Sequence, residues 1–302
     1  MAKQYKCALL CMHGMGDLTE ETFGKEVQQL KHQLRNIMGR AFDQVYIPDQ
    51  GIFYSRLTED YQNKIIDRLE VELKPNLLEK KSFNLRSFFL YGFSDAVAFC
   101  TYHSAANTQQ YTEVQKKIYE ALLNVRTTCG DVPVIILTQS LGCQILSNYL
   151  WDAQVSLKGH PHPASIWAPA QHSKYESSDF LTLKTLKTWI TTGCNIPIFV
   201  AGFEHICAVE TRKNGYNFKW INIYDKDDVL GFPLTPLSVS FDQGHSGHGQ
   251  SYGTAVEEDI QLNAGNGLFG RLKGMTPLSH LQYWTDKKVL NIIADQLKLS
   301  LK

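Results

Sequence analysis

Two hydrophobic patterns follow each other in the first part of the chain. Residues 7–12 form a continuous apolar run that ends at His13-Gly14, as is typical of a short strand buried on both faces. From residue 20 to residue 38 the apolar positions recur every three or four residues, which predicts an amphipathic helix. Residues 45–48 then resemble a second strand. This order of strand, helix and strand predicts an α/β fold with a mostly parallel sheet and helices on both faces.

The same patterns continue towards the C-terminus. Apolar positions at helical spacing predict a helix over residues 112–125, and residues 132–137 form the strongest strand pattern in the sequence. Three later segments are predicted to be two strands and a closing amphipathic helix, at 189–192, 219–224 and 289–299.

The length of the chain and the lack of repeats or linker-like segments in the sequence predict its domain organisation. A chain of 302 residues without internal repeats or a Pro- or Ser-rich linker is expected to form one domain, here residues 1–302. Some connections are longer than a bare α/β scaffold requires. We therefore predict cap or lid insertions near residues 50–110 and 235–275.

Charge and cysteine content exclude several classes of protein. Thirty Lys and Arg residues balance thirty Asp and Glu residues, so no basic field attracts nucleic acid. The seven cysteines are odd in number and lie mostly in apolar stretches, which predicts reduced thiols. No apolar run approaches the roughly 20 residues of a membrane-spanning helix. We expect a cytoplasmic protein without nucleic-acid or integral membrane partners.

The sharpest motif is Thr138-Gln139-Ser140-Leu141-Gly142, which lies between the strongest predicted strand and a helical pattern. A tight turn from strand to helix lifts a serine hydroxyl clear of the sheet, and the helix N-terminus favours a negatively charged oxygen. This context predicts that Ser140 is a nucleophile. Thr138 departs from the pattern Gly-x-Ser-x-Gly, because a Cβ there needs room in the neighbouring helix. The alternative interpretation of Ser140 is an ordinary helix N-cap.

A serine nucleophile needs a histidine base and a carboxylate that orients the histidine, in the chain order Ser, Asp, His. Asp227, just after the predicted strand 219–224, is the first candidate for the acid, with Asp228 as the alternative and Asp225 third. The simpler interpretation of these residues is a solvated acidic turn. Among the ten histidines, His280 is the candidate base because it lies in a loop just before the last predicted helix.

Backbone donors for an oxyanion are expected after the first strand, at His13-Gly14-Met15-Gly16. The glycines allow a turn in which the N–H of Met15, together with that of Leu141, points into the site. A glycine pair after a strand also begins a dinucleotide-binding fingerprint, but residue 19 is Thr where the third glycine belongs. The closely spaced histidine pairs lack a Cys or carboxylate partner for a metal. We expect neither a cofactor nor a metal.

These segments together resemble the lipase-like branch of the α/β-hydrolase superfamily. The resemblance covers most of the chain and is carried by residues 13–16, 138–142, 190–197, 225–230 and 279–284. It implies the α/β-hydrolase fold and the following roles: Ser140 as nucleophile, Asp227 or Asp228 as acid, His280 as base, and the N–H groups of Met15 and Leu141 as the oxyanion hole. Two departures from the family pattern are Thr138 for glycine and Cys194-Asn195 for Ser-Pro.

The predicted function is hydrolysis of a carboxylic ester, of a small molecule or a lipid, through an acyl-enzyme intermediate. The zero net charge favours a neutral or apolar ester, since it does not steer an ionic one. The second hypothesis is a protein of the same fold that binds a ligand or protein partner without hydrolysis. A third, a cofactor-dependent oxidoreductase, requires a nucleotide pocket above Gly14 that the sequence does not support.

Overall fold

The computed structural model describes residues 5–15, 18–73, 90–99, 105–240, 248–262 and 283–302. The strands of these residues form one sheet: β1 (Cys7–Met12), β2 (Val45–Tyr46), β3 (Val134–Gln139), β4 (Leu186–Thr192), β5 (Lys219–Asp225) and β6 (Glu258–Leu262). Every neighbouring pair is parallel, and the strand order is β2-β1-β3-β4-β5-β6. The carboxyl ends of all strands therefore lie along one edge of the sheet.

The helices of the described residues are α1 (Glu20–Met38), α2 (Glu59–Leu73), α3 (90–99), α4 (Ala105–Cys129), α5 (Leu141–Leu157), α6 (Ile196–Val200), α7 (Tyr252–Ala255) and α8 (Lys287–Ser300). None of these helices combines the length and the apolar character needed to cross a bilayer.

The sheet is covered on both faces, which explains the continuous apolar runs of β1 and β3. On β1, Cys7, Leu9 and Cys11 belong to the core shared with α1 and α8. The alternate residues Ala8 and Leu10 belong to the core shared with α4 and α5. A strand with helices on both sides has no solvent face, so none of its positions needs to be polar. The predicted α/β fold, with a mostly parallel sheet and helices on both faces, is confirmed.

The sequence pattern does not predict β6, which lies in the range 235–275 assigned to an insertion. The strand reads Glu-Asp-Ile-Gln-Leu, and only Leu262 is buried, so its hydropathy resembles that of a polar loop. Because Glu258–Leu262 pairs with β5, these residues belong to the sheet and not to a lid. The neighbouring residues 241–247 and 263–282 lie outside the described residues, as do 74–89 and 100–104 in the other range assigned to an insertion.

A row of polar side chains crosses the sheet near its carboxyl edge. Thr138, Thr191, Asn222 and Asp259 are register partners on β3, β4, β5 and β6. Thr191 donates to Asn222 Oδ1 at 2.7 Å, and Asn222 Nδ2 donates to Asp259 Oδ1 at 2.6 Å. Thr138 accepts a hydrogen bond from the Trp189 indole at 2.9 Å. Each side chain in this polar row is therefore paired, as buried polar groups must be.

Asp152 is a buried carboxyl that joins α5 to α4. It accepts hydrogen bonds from Tyr111 Oη at 2.8 Å and from Gln115 Nε2 at 2.6 Å. Burial raises the pKa of Asp152 to about 6, whereas an unfolded chain has an Asp pKa of about 3.9. The folded protein therefore holds more protons between these two values, and stability falls as the pH rises through this window.

Replacing Asp152 with Asn keeps an acceptor oxygen and removes the charge. We expect Asp152→Asn to raise the free energy of unfolding at pH 7.5 by up to about 3 kcal/mol, since one pKa unit corresponds to about 1.4 kcal/mol. Near pH 4.5 the gain should be smaller, because the wild-type carboxyl is then mostly protonated. Urea unfolding at both pH values measures the difference. An equal gain at both pH values would show that the charge of Asp152 is not the cause.

Candidate active site

Ser140 forms the turn between β3 and α5. Its backbone angles are φ 51° and ψ −122°, a region that costs a residue other than glycine roughly 1–3 kcal/mol. The turn is fixed by two hydrogen bonds, from Ser140 N–H to the Thr192 carbonyl at 3.0 Å and from Cys143 N–H to the Ser140 carbonyl at 2.9 Å. Ser140 occupies the N-cap position of α5, but its hydroxyl makes no capping hydrogen bond. The Ser140 side chain therefore does not cap α5.

The Ser140 hydroxyl is enclosed. The residue is 0% exposed, and its Oγ has no hydrogen-bond partner within the residues that the structure describes. The predicted base, His280, lies outside the described residues. A strained serine with a buried hydroxyl that stabilises nothing nearby is a pattern found at functional sites rather than at ordinary helix ends.

Two glycines bring the turn after β1 against Ser140. A Cβ added to Gly14 would lie 2.7 Å from Ser140 Cβ and 3.4 Å from its Oγ. A Cβ added to Gly142 would lie 2.5 Å from the carbonyl oxygen of His13. Both distances are too short for an alanine, so the two turns pack backbone to backbone only because these residues are glycines.

Thr138 fits at the position where the family pattern has glycine. Its hydroxyl lies 3.2 Å from Cys143 Sγ, to which it can donate, and accepts the hydrogen bond from the Trp189 indole. Cys143 is small enough to leave space on α5 for the threonine side chain. The departure from the pattern is therefore accommodated by local packing and the turn at Ser140 keeps its shape.

His13 and Tyr54 hold the peptide group between Gly14 and Met15. His13 Nε2 accepts from the Tyr54 N–H at 3.1 Å, so Nδ1 carries the proton and donates to the Gly14 carbonyl at 2.6 Å. Tyr54 Oη also donates to the Gly14 carbonyl, at 3.1 Å. Burial lowers the pKa of His13 to about 4, so the ring is neutral at physiological pH and keeps this tautomer.

The fixed carbonyl of Gly14 determines where the Met15 N–H points. In a trans peptide the N–H is directed opposite to the C=O, so the Met15 N–H is turned away from the His13 ring and the Tyr54 hydroxyl. Neither this N–H nor that of Leu141, in the first turn of α5, donates a hydrogen bond to the described part of the chain. Both predicted oxyanion donors are thus available on the two turns that meet at Ser140.

The acidic turn after β5 places Asp228 inside the protein. Asp228 is 5% exposed, and its carboxylate accepts hydrogen bonds from Tyr283 Oη at 2.7 Å and from the Leu230 N–H at 2.9 Å. Burial and the charge of Asp228 raise the pKa of Tyr283, so its hydroxyl remains a donor. Tyr283 follows His280 by three residues. Tyr283, three positions after the predicted base in the sequence, therefore contacts Asp228.

The other two acidic candidates, Asp227 and Asp225, differ from Asp228 in their hydrogen bonds. Asp227 is half-buried, its N–H donates to Asp225 Oδ1 at 2.9 Å, and its carboxylate makes no hydrogen bond within the described residues. Asp225 is buried at the end of β5, where its N–H donates to Tyr283 Oη at 2.9 Å. Sequence patterns and hydropathy do not distinguish these carboxylates. The structure does, because the Tyr283 hydroxyl donates a hydrogen bond to the carboxylate of Asp228.

A cavity of about 140 Å³ lies between the turn after β1 and the acidic turn. Met15 lines it from the first turn and Leu230 from the second, while α3 and α6 supply apolar side chains that include Phe93 and Phe199. Asn195, just before α6, is the one polar side chain among the lining residues. The amide atoms of Asn195 are buried, so the surface that lines this cavity is apolar.

Asn195 is a site residue that the sequence patterns do not identify as functional. It is 0% exposed, and neither its amide oxygen nor its amide nitrogen has a hydrogen-bond partner in the described part of the chain. The only signal in the sequence is the departure Cys194-Asn195 from Ser-Pro. No group of three or more His, Cys, Asp or Glu that could hold a metal occurs among the described residues.

Comparisons with known proteins add little to this description. No protein-family model matches the sequence, and no curated protein is significantly similar to it. One solved structure that matches is described as an acetylxylan esterase at 0.90 Å resolution. The match covers 99% of this chain and 99% of that chain, with 8% sequence identity and a TM-score of 0.40. Similarity at this level carries no information about the reaction.

Proposed function

We propose that this protein is a serine hydrolase that cleaves a carboxylic ester of a small molecule or a lipid. The observation that carries the proposal is the backbone of Ser140, at φ 51° between a buried parallel strand and a helix N-terminus. This is the geometry of a nucleophile elbow, in which the serine stands at the carboxyl edge of the sheet. The nearby N–H groups of Met15 and Leu141 support the proposal, because an oxyanion needs donors beside the nucleophile.

The proposed reaction proceeds through an acyl-enzyme. His280 takes the proton of Ser140 Oγ as the oxygen attacks the ester carbonyl carbon, and the N–H groups of Met15 and Leu141 stabilise the negative oxygen. His280 then returns the proton to the departing alcohol. Water, activated by the same histidine, attacks the acyl-enzyme and releases the acid. Neither a metal nor an organic cofactor takes part in these steps.

We propose Asp228 as the acid that orients His280, in preference to Asp227. An orienting carboxylate has to be buried and held in place so that it favours one tautomer of the histidine. Asp228 is buried and accepts hydrogen bonds at both oxygens, whereas Asp227 is half-buried without a side-chain hydrogen bond in the described residues. Tyr283, the donor to Asp228, lies on the segment that follows His280.

A ligand-binding protein without hydrolytic activity is the second candidate. The observation in its favour is the complete burial of Ser140, since a hydrolase must open a path to this hydroxyl. On this hypothesis the cavity beside Met15 holds a ligand, and the strained turn is retained for its shape. The two candidates differ in the reactivity of Ser140, which is measurable directly.

A fluorophosphonate probe tests the proposal, because it forms a covalent bond only with an activated serine. We expect stoichiometric labelling of the folded protein, with peptide mapping by mass spectrometry locating the adduct on Ser140. Hydrolysis of 4-nitrophenyl esters from acetate to octanoate should be abolished in the labelled protein. A folded protein that takes no label and cleaves none of these esters would support the ligand-binding candidate instead.

Gly14→Ala tests whether the turn after β1 takes part in the reaction. The added Cβ would lie 2.7 Å from Ser140 Cβ, so the turn must move. We expect kcat for ester hydrolysis to fall about 100-fold, the usual effect of a shift of about 1 Å in a reacting geometry, with KM changed less. Gly24→Ala is the matched control, because its Cβ would meet only the Asp49 carbonyl at 3.7 Å. Equal kcat values for the two variants would contradict this role for Gly14.

A further inference from the structure

The cavity beside Met15 has an apolar wall. Helices α3 and α6 supply most of it, through Phe93, Ala96, Val97, Ile198 and Phe199. Asn195 also borders the cavity, but both polar atoms of its amide are buried away from the cavity surface. An occupant therefore meets no hydrogen-bonding side-chain group among the described lining residues. Polar atoms placed here would lose their hydrogen bonds to water without replacement, so the cavity favours a hydrocarbon.

Three of the lining side chains also face solvent and form the mouth of the cavity. Phe93 is 48% exposed, Val97 54% and Ile198 40%. Phe93 and Val97 are four residues apart, so they lie on the same face of α3. Single exposed apolar residues are common, whereas a group of them at one cavity marks a site of ligand binding or association. A hydrocarbon can therefore enter this cavity from solvent along apolar surface.

Helix α3 is held in place by contacts on its other sides. Asp95 is buried and accepts hydrogen bonds from Thr58 Oγ1 at 2.5 Å and from Gln62 Nε2 at 2.6 Å. Gly92 brings the helix close to Met15, since a Cβ added to this glycine would lie 2.5 Å from the Met15 sulfur. These contacts fix α3 against the start of α2 and against the turn after β1. The wall that α3 contributes to the cavity therefore has a defined position.

The cavity lies beside the turns that meet at Ser140. Met15, whose N–H is a proposed oxyanion donor, is one of its lining residues. On the other side, Asn195 follows Thr192 by three residues, and the Thr192 carbonyl accepts the hydrogen bond from the Ser140 N–H. An ester whose carbonyl oxygen is bound by the Met15 N–H would therefore have its chains within reach of the cavity.

The volume of the cavity limits the length of chain that it can hold. It measures about 140 Å³, and an engineered apolar cavity of about 150 Å³ in another protein binds benzene. A chain of about six carbon atoms would therefore fill the cavity. Carbon atoms beyond this length would lie at the mouth, where they remain partly in contact with water and gain less from burial.

We infer that this cavity binds a hydrocarbon chain of about six carbon atoms and thereby determines the chain length of the ester that the protein accepts. The inference rests on the proposed function only in that the chain belongs to an ester. Ala96, which is buried, and Ile198, at the mouth, are specificity-determining residues, because their size sets the space left for the chain.

Two ester series test the chain length. 4-Nitrophenyl esters from acetate to decanoate vary the acyl chain, and alkyl acetates from methyl to decyl vary the alcohol. In the series whose chain enters the cavity, kcat/KM should rise about fourfold per CH₂ group up to about six carbon atoms and then level off. We call this point the break. A protein that cleaves these esters without a break in either series would contradict the inference.

Two variants should move the break in opposite directions. Ala96→Val fills part of the cavity and should shift the break to about four carbon atoms, whereas Ile198→Ala enlarges the cavity and should shift it to about eight. Ile198 is 40% exposed, so its truncation should leave the fold intact even if Ala96→Val does not fold. The series in which the break moves identifies the chain that enters the cavity.

Leu123→Ala is the matched control for Ile198→Ala. Leu123 has the same exposure of 40%, but it lies on α4 and is not among the lining residues. The break in this variant should stay within about one carbon atom of wild type. A break that stays in place in Ile198→Ala as well would overturn the inference about the substrate, while the hydrolase proposal would stand.

Benzene tests the cavity without catalysis. Wild type should bind benzene, as an apolar cavity of similar volume does in another protein, and Ala96→Val should raise its Kd about tenfold or more because the added atoms occupy the same space. Ligand-observed NMR measures both constants. Failure of folded wild type to bind benzene would count against the inference. If Ser140 is inert but benzene binds and Ala96→Val weakens it, the hydrolase proposal fails and the hydrocarbon site stands.

Discussion

Ser140→Ala is expected to lower kcat/KM for any cleaved ester by about 10⁵- to 10⁶-fold, the range known for removal of a serine nucleophile. Ser140 is the residue at the turn between β3 and α5, and it is the proposed nucleophile. The measurement is the rate with 4-nitrophenyl esters at saturating and limiting substrate. Labelling by a fluorophosphonate should disappear together with the activity.

A second substitution, Ser140→Gly, tests whether the backbone of this turn is strained. Alanine retains a Cβ at φ 51°, whereas glycine adopts this angle without strain. Ser140→Gly should therefore be more stable than Ser140→Ala by roughly 1–3 kcal/mol, although both are inactive. Wild-type rates in Ser140→Ala would exclude Ser140 as the nucleophile. Equal stability of the two variants would show that the turn carries no strain.

Asp228→Asn should be the second most damaging change, with kcat about 10³- to 10⁴-fold lower, as expected when an orienting carboxylate becomes an amide that favours the wrong histidine tautomer. Asp227→Asn, one residue away, is the matched control and should stay within about threefold of wild type. The reason for the difference is that only Asp228 is fully buried and held by Tyr283 and the Leu230 N–H.

The two substitutions also separate catalysis from folding. Thermal unfolding and near-ultraviolet circular dichroism should show native packing for both variants, since Asn can still accept from Tyr283. If Asp227→Asn is the inactive variant and Asp228→Asn is active, the acid is Asp227, and Asp228 serves only to hold Tyr283. Loss of activity in neither variant would exclude both carboxylates.

The sheet could be predicted from sequence wherever burial on both faces leaves a continuous apolar run, as it does in β1 and β3. The edge strand β6 could not, because only Leu262 of its five residues is buried and its hydrogen bonds to β5 involve backbone groups that no side-chain pattern reports. The amphipathic helices α1 and α8 were likewise predictable from their spacing. Helix α1 has the predicted bounds, whereas α8 begins two residues before its predicted start because its cap, Asp286, lies outside the apolar pattern.

The candidate site was predictable only where its chemistry is local in sequence. Ser140 and the glycines near it follow from the motif and from its place after a strand. The support of the Gly14 carbonyl by Tyr54 joins residues 40 positions apart, and the hydrogen bond from Tyr283 to Asp228 spans 55 positions. These contacts depend on the fold, so a local pattern could rank Asp227 and Asp228 only by their distance from the strand. Asn195 can be recognised as unusual only from the structure, where its buried side-chain amide makes no hydrogen bond to the described residues.

The polar row across β3 to β6 has a consequence for how the sheet reaches its register. Apolar strands can slide along each other by two residues and still bury the same kind of surface. Thr191, Asn222 and Asp259 satisfy one another only when all three strands are aligned as observed, so every slipped arrangement leaves buried polar atoms without partners. Because Ser140 and the acidic turn follow directly from β3 and β5, the same alignment fixes the position of the proposed nucleophile relative to the proposed acid along the strand direction.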